Sequence, residues 1–364
     1  MLEKSLVLRP RGLGGPAPSR SRRVAVVARC PSSSREALAL TWDGFGDWRT
    51  APVRDDVEWG EAGSAVGDLE VGDLEVGDLE LSPGDGVSLS ELGKRVLETT
   101  DVLEKAVLTH GAYKAFARSR IPVGRARGPD QPGRPRLPRL VPPRECPSPK
   151  RSGLCLSSYM LHNLAHIELN AIDLAWDTVV SFSGLELPVD FYHDFLRVAD
   201  DESRHLRWCL QRLEELDSFY GAMPAHDLLW QAGKATRADL LARLVAIPMV
   251  QEARGLDAGP RLVAKLRGAA DSRSADIVEK IAFEERAHVA VGVYWFHYFC
   301  REKGVLGEEA IAEEFQRIAA SHARDMIRGP FDLETRELVG LPKDWFLPLA
   351  ATTNTTTNTT ERGR

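Results

Sequence analysis

Three observations predict an all-α protein. Four long stretches between 155 and 303 carry apolar residues at helical spacing, with little of the alternation a strand needs. Turn-forming residues punctuate them at Gly184 and Pro188, at Gly221 and Pro224, and at Gly304. Each stretch also holds a glutamate near mid-length, on or beside its apolar stripe. The expected architecture is a four-helix bundle with an extra N-terminal helix and a short C-terminal helix.

In chain order, 1–87 reads as a disordered or targeting region. Arg9, Arg11, Arg20, Arg22, Arg23 and Arg29 are interleaved with Ser, Pro and Gly, and Glu3 is the one acid before 36. That mixture fits an organellar transit peptide or a basic disordered tail. Residues 66–80 repeat Val-Gly-Asp-Leu-Glu, a period that suits neither helix nor strand, and read as an acidic linker. Helix is expected over 88–120, with a start signal at Asp101 and Glu104. Dense proline and arginine over 121–154 predict an extended arm that either drapes over the core or links the first helix to it.

The bundle itself is expected over 155–345. Its helices are read as 157–182, 190–216, 236–258 and 274–303, followed by a shorter one at 308–327. The third is read as capped by Thr236 and Asp239 and interrupted by Pro248, one turn before Glu252. The Thr/Asn-rich tail, 346–364, reads as disordered because it has too little apolar surface to offset its ordering entropy.

Composition narrows the function classes. A 43% hydrophobic content supports a sizeable core, and a net charge of −6 argues against nucleic-acid binding over the whole surface. No apolar run reaches the roughly 18 residues of a membrane span. The five cysteines include no Cys-x-x-Cys pair, so neither a disulfide framework nor a zinc site is expected. The pattern suits a cytoplasmic or organellar protein rather than a secreted one.

The chemistry lies in the order of the buried acids. Helix one carries Glu168, helix two Glu202 and His205, helix three Glu252, and helix four Glu285 and His288. A spacing of three puts Glu and His on one helical face, one turn apart, so both can reach one ion. The order Glu, Glu-x-x-His, Glu, Glu-x-x-His is the inward ligand set of ferritin-like di-iron and di-manganese carboxylate bundles. Four uncompensated carboxylates in a core would cost several kcal/mol each or take up protons, and two divalent ions cancel them. Carboxylate and imidazole ligands suit two iron ions, a manganese–iron pair or manganese.

The segments HIELNAIDLAWD, DESRHLRW, VQEARGLDAGP and FEERAHVAVG resemble an uncharacterised, mostly bacterial family of ferritin-like proteins. LVPPRECP and TTDVLEKAVLTHGAYKAF resemble that family's upstream region, so the resemblance spans 90–345. It implies a ferritin-like bundle with a dinuclear site at Glu168, Glu202, His205, Glu252, Glu285 and His288. It implies no reaction.

In such a site Glu202 and Glu285 would bridge, Glu168 and Glu252 would be terminal, and each histidine would serve a different ion. The second ring nitrogens need acceptors, for which Asp173, Asp201 and Asp257 are candidates. His162 and His166 are further candidate ligands, more readily explained as core histidines. Trp176, Trp208, Tyr294, Trp295 and Cys209 read as core packing near the site. Arg204, Arg207, Arg254 and Arg286 read as helix-surface ion pairs.

The leading function is an oxygen-activating oxidoreductase working on an unknown small molecule or a modified RNA, with an unknown electron donor. Arg134, Arg136, Arg139 and Arg144 of the arm are the one feature favouring RNA. Metal handling by ferroxidation or storage, and a non-catalytic metal-stabilised bundle, are the alternatives. A homo-oligomer is compatible with each.

Overall fold

The computed structural model describes residues 42, 44–54, 58–60, 65–66, 87–118 and 121–350. The basic segment 1–35, all but the first residue of the acidic repeat, and the Thr/Asn run 352–364 lie outside these residues. The described chain is mostly helical, and its one sheet pairs two-residue strands, β1 (Glu58–Trp59) and β2 (Ala65–Val66), antiparallel.

Part of the region read as disordered or targeting is therefore structured. Helix α1 (Gly44–Thr50) lies against the bundle. It is too short to be stable alone. Long-range bonds hold it: Arg49 pairs with buried Asp194, and Arg197 reaches back to the Ala51 carbonyl at 2.7 Å. The span 88–120 holds two helices, α2 (Leu89–Glu98) and α3 (Val102–Ala117). Ser88 and Glu91 form a reciprocal capping box on α2, and Asp101 caps α3 through the amides of Leu103 and Glu104.

The Pro/Arg-rich arm drapes over the core. Gly133 donates its amide to the Leu97 carbonyl at 2.6 Å, Arg134 reaches Asn170 and Asp173, and Leu140 bridges to Ala225. A Cβ at Gly133 would lie 2.4 Å from the Glu98 carbonyl oxygen, so this crossing requires glycine.

Two long helices follow, α4 (Leu156–Phe182) and α5 (Val189–Glu215), and they pack along each other. Pro188 sits just before α5, where its missing amide costs nothing, and Asp190 favours the positive end of the helix. Helix α6 (Leu228–Ala235) is separate from the third long segment, and Thr236 ends it rather than capping the next helix. The cap of α7 (Leu240–Leu244) is Asp239, whose side chain accepts from the Ala242 amide at 3.1 Å.

Helix α7 then widens into π-helix over Val245–Glu252, with Pro248 inside, and returns to α-helix as α8 (Ala253–Gly268). The proline cannot donate an amide, and a wider turn relieves its clash with the preceding carbonyl. This segment runs ten residues beyond the expected end at 258, with Gly268 its last helical residue.

Helix α9 (Ser272–Glu302) is capped by Asp271 and ends at Gly304, whose φ of 79° is left-handed. It packs against α8, the π-helical stretch and α5. The C-terminal cover comprises α10 (Glu308–His322), α11 (Leu333–Leu338) and α12 (Lys343–Phe346). Among the described residues, no helix is long and apolar enough to cross a membrane.

Candidate metal centre

Helices α4, α5 and α9 and the end of the π-helical stretch bring the predicted acids and histidines to one interior region. Glu168, Glu202, His205, Glu285 and His288 are all buried, and Glu252 is half-buried. One ligand atom each from Glu168, Glu202, His205 and Glu285 lies within 4.8 Å of all the others, close enough to share an ion.

The two imidazoles lie 5.8 Å apart between ring centres and point their Nδ1 atoms into the carboxylates. His205 Nδ1 is 3.3 Å from Glu202 Oε2, 3.7 Å from Glu285 Oε1 and 3.7 Å from Glu168 Oε2. His288 Nδ1 is 2.9 Å from Glu202 Oε1 and 3.1 Å from Glu285 Oε2. Glu202 and Glu285 thus each offer one oxygen to either histidine.

The outer ring nitrogens are held crosswise. Glu284 on α9 meets His205 Nε2 of α5 at 2.9 Å, and Asp201 on α5 meets His288 Nε2 of α9 at 3.4 Å. An acceptor at Nε2 keeps the proton there and leaves Nδ1 free as a donor to a metal. Asp201 was among the acids singled out for this task, but Glu284 was not. The signal was present, since an acid immediately precedes the glutamate in both Glu-x-x-His motifs. Asp173 and Asp257 serve elsewhere: Asp173 pairs with Lys105 and Arg134, and Asp257 pairs with Arg336 at 2.6 Å.

Electrostatics mark the centre as short of positive charge. Burial, then the Glu202 charge, raises Glu168 well above the usual carboxylate range. Burial also raises Glu252 well above that range, with further contributions from Glu202 and Glu285. Glu252 therefore joins the same field. Burial and Glu202 raise Glu285 too. Burial alone would raise Glu202, but His288 and His205 outweigh it and pull it below the usual value. Burial opposes charge on His205 and His288, yet the surrounding carboxylates raise both well above normal.

Among the described residues, no Lys or Arg forms an ion pair with Glu168, Glu202, Glu252 or Glu285. Glu168 Oε2 and Glu202 Oε1 are buried without a well-directed hydrogen bond. Orphaned buried carboxylate oxygens are costly, and a divalent cation is the natural partner for them.

A notch in α9 receives the π-helical stretch that ends at Glu252. At Gly292 a Cβ would stand 2.6 Å from both Cβ and Cγ of Pro248, so only glycine lets the π-helical stretch approach this closely. Cys209 is fully buried, and burial followed by the Glu168 and Glu202 charges raises its thiol well above normal, which puts it at the edge of the cluster. The Trp208 ring is 5.4 Å from His205. Trp176 donates to Thr109 at 2.9 Å and Trp295 to Asp194 at 2.8 Å, both as core residues, while Tyr294 stacks beneath Arg49.

His162 and His166 stand apart as structural residues. His162 Nε2 accepts the Gly221 amide at 2.9 Å, and His166 lies between the Tyr220 hydroxyl (2.7 Å) and the His226 carbonyl (2.8 Å). Of the arginines read as surface partners, Arg204 and Arg207 are buried, against Asp201 and Glu284 and against Glu58. Arg254 is exposed, and Arg286 covers the Phe283 ring.

Comparison with known proteins adds three findings. The sequence model of a family described as "Protein of unknown function (DUF455)" matches residues 98–347, which include all six candidate ligands. An "Uncharacterized protein" of Haemophilus influenzae is 37% identical over 178 residues, covering 47% of this chain and 61% of that relative, so the match spans about three fifths of the relative's length. No solved structure matches the chain.

Proposed function

The chain belongs to the DUF455 family of proteins of unknown function, and from that premise we propose that it is a ferritin-like di-metal carboxylate protein, most suited to iron, that carries out an oxygen-dependent oxidation. The observation that supports this most is the crossed histidine arrangement. Both Nδ1 atoms turn toward Glu202 and Glu285, while both Nε2 atoms are held by an acid on the opposite helix.

In this reading Glu168, Glu202, His205, Glu252, Glu285 and His288 would hold the metal, with Glu202 and Glu285 able to serve both histidine sides because each faces both rings. Glu168 would lie on the His205 side. Asp201 and Glu284 fix the imidazole tautomers, and Trp208 and Cys209 exclude water from one side. A bound iron pair would supply dioxygen activation. The chain's own groups supply negative charge to stabilise a rising metal charge, and carboxylates that exchange protons for metal on loading. An RNA substrate is less well supported than a small molecule, since Arg134 of the arm is spent on Asp173 and Asn170.

The test is anaerobic loading of the full chain with Fe(II), metal quantification, and absorption spectroscopy on admitting oxygen. The expected result is about two ions per chain and an oxygen-dependent absorption change that is lost in Glu285→Ala. Fewer than one ion per chain, with iron and manganese both supplied, would overturn the metal assignment. Full loading without any reaction with oxygen would favour a metal-stabilised bundle.

A further inference from the structure

Residues 44–54 and 58–59 lie before the family-matched span 98–347, yet they reach the surroundings of both candidate ligand histidines. The Trp48 indole donates to Asp201 Oδ2 at 2.7 Å, the same oxygen that faces His288 Nε2 at 3.4 Å. Arg54 meets Glu284 Oε1 at 3.4 Å, while Glu284 Oε2 holds His205 Nε2 at 2.9 Å. The Trp59 ring stands edge-on to Trp208 at 5.1 Å, and Trp208 lies 5.4 Å from the His205 ring. Each contact stops one residue short of a candidate ligand.

The three contacts differ in what they can control. Glu284 is also held by Lys280 at 3.0 Å and by Arg204 at 3.3 Å, so half-buried Arg54 is one of three cations on it. Asp201 depends more on its N-terminal partner. Arg204 takes Oδ1, and Trp48 donates to Oδ2. With each oxygen pinned by a separate donor, the carboxylate plane is fixed and Oδ2 is kept facing the imidazole. Without the indole, the carboxylate is free to turn both oxygens to the Arg204 guanidinium, the two-pronged geometry that arginine favours, and to leave His288.

Trp48 is itself well anchored. Its ring stacks on Phe45 at 5.9 Å, and the Arg197 guanidinium lies 5.2 Å from its centre. The adjacent Arg49 donates to buried Asp194 at 2.9 Å. A seven-residue helix has little stability of its own, so these contacts are what make the indole a fixed donor.

We propose that Trp48 is a positioning residue of the metal centre: it orients Asp201, Asp201 orients His288, and the segment carrying it clamps the centre from outside the family-matched span. The inference rests on the di-metal reading of the six ligands and adds to it a residue from beyond the matched region. Its consequence is metal affinity, because an imidazole released from its acceptor loses both tautomer and direction, a loss that costs about 10–100-fold at other metal sites.

The test is competition for Co(II) between the metal-stripped full chain and a chromophoric chelator, with the visible absorption of bound Co(II) recorded at saturation. Nitrogen and oxygen sites that take Fe(II) also take Co(II). Trp48→Phe keeps the aromatic face and removes the N–H, and it is expected to weaken Co(II) binding about ten-fold with an unchanged circular dichroism spectrum. In chains already carrying Asp201→Ala or His288→Ala, the same change should cost no more than about two-fold further, since the route through which Trp48 acts is gone. The Co(II) bands of Trp48→Phe should shift in the same direction as those of Asp201→Ala. A ten-fold loss that persists in both backgrounds would reveal general loosening and overturn the positioning role. Wild-type binding that Trp48→Phe leaves untouched overturns the inference alone, whereas a wild-type chain that takes up no Co(II) overturns the di-metal reading and the inference with it.

Discussion

Helix α4 carries three buried acids, and they are treated in two different ways. Asp173 is held by Lys105 and Arg134, and Asp177 by Arg243 and Arg237, each at 2.6 Å. Glu168, farther toward the N-terminus of the same helix, faces His205 and other carboxylates instead. At Asp173 and Asp177 the fold supplies two cations per acid from its own side chains. Around Glu168 it supplies three further glutamates and two histidines, and among the described residues no lysine or arginine pairs with these glutamates. Where the same helix pairs its other two buried acids with lysine and arginine, this one place leaves the balance to protons or a bound cation.

The contrast can be broken by exchanging charge for shape. Asp177→Asn leaves two guanidinium groups short of a carboxylate in the interior, and a loss of about 3–5 kcal/mol is expected. Glu252→Gln in metal-stripped protein removes a repelled acid and should be neutral or stabilising by about 1 kcal/mol. Denaturant midpoints measure both. Equal destabilisation by the two would show that the regions do not differ.

Metal removal is of comparable size. Each ion present at 100-fold its dissociation constant contributes about 2.7 kcal/mol, so chelation should lower the melting temperature by several degrees in calorimetry. A melting temperature indifferent to chelator would mean that protons alone suffice to hold the acids together.

Asp201→Asn and Glu284→Gln release one histidine each, and each should weaken metal binding by about 10–100-fold in competition with a chelator. Asp173→Asn should leave that affinity alone.

The last effect is on pH dependence. Burial pushes His162 down to about 4, below its ordinary 6.5. The unfolded chain therefore binds the proton more readily between those values. The stabilising contribution of the neutral ring is complete above pH 6.5 and is lost as pH falls toward 4, at about 1 kcal/mol per pH unit. His162→Gln should flatten the stability profile in that window by this amount, read from midpoints taken across it.

What could be foreseen from the residues follows the same physical division. The long helices were legible because their apolar spacing repeats over many turns, and the meeting of Glu168, Glu202, His205 and Glu285 because Glu-x-x-His occurs twice in the right order. The cap at Asp101 depends on local chemistry and was equally readable, whereas the proline arm was readable as extended but its draping, held by distant Leu97, Asp173 and Ala225, was one of two alternatives. Helix α1 was not, since seven residues carry no periodic signal and its stability comes from Asp194 and Arg197, far away in the chain. Glu284 was missed because an acid in Phe-Glu-Glu-Arg reads as a solvated helix face. The acid that precedes the glutamate in both Glu-x-x-His motifs was the signal available, and the neighbouring helix shows that it grips His205. The third segment was misjudged at its start because Thr236 and Asp239 imitate a capping pair, whereas Thr236 closes α6.

The π-helical stretch gives the site a vulnerability unrelated to any ligand's identity. One residue corresponds to about 100° of rotation in an α-helix. Deleting a single residue between Val245 and Glu252 is expected to let the segment wind regularly and turn the Glu252 carboxyl out of its present direction, with all six candidate ligands still present in the sequence. Indel scanning through this stretch is therefore a sharper probe of the centre than substitution, because it changes direction while leaving the inventory of donors intact.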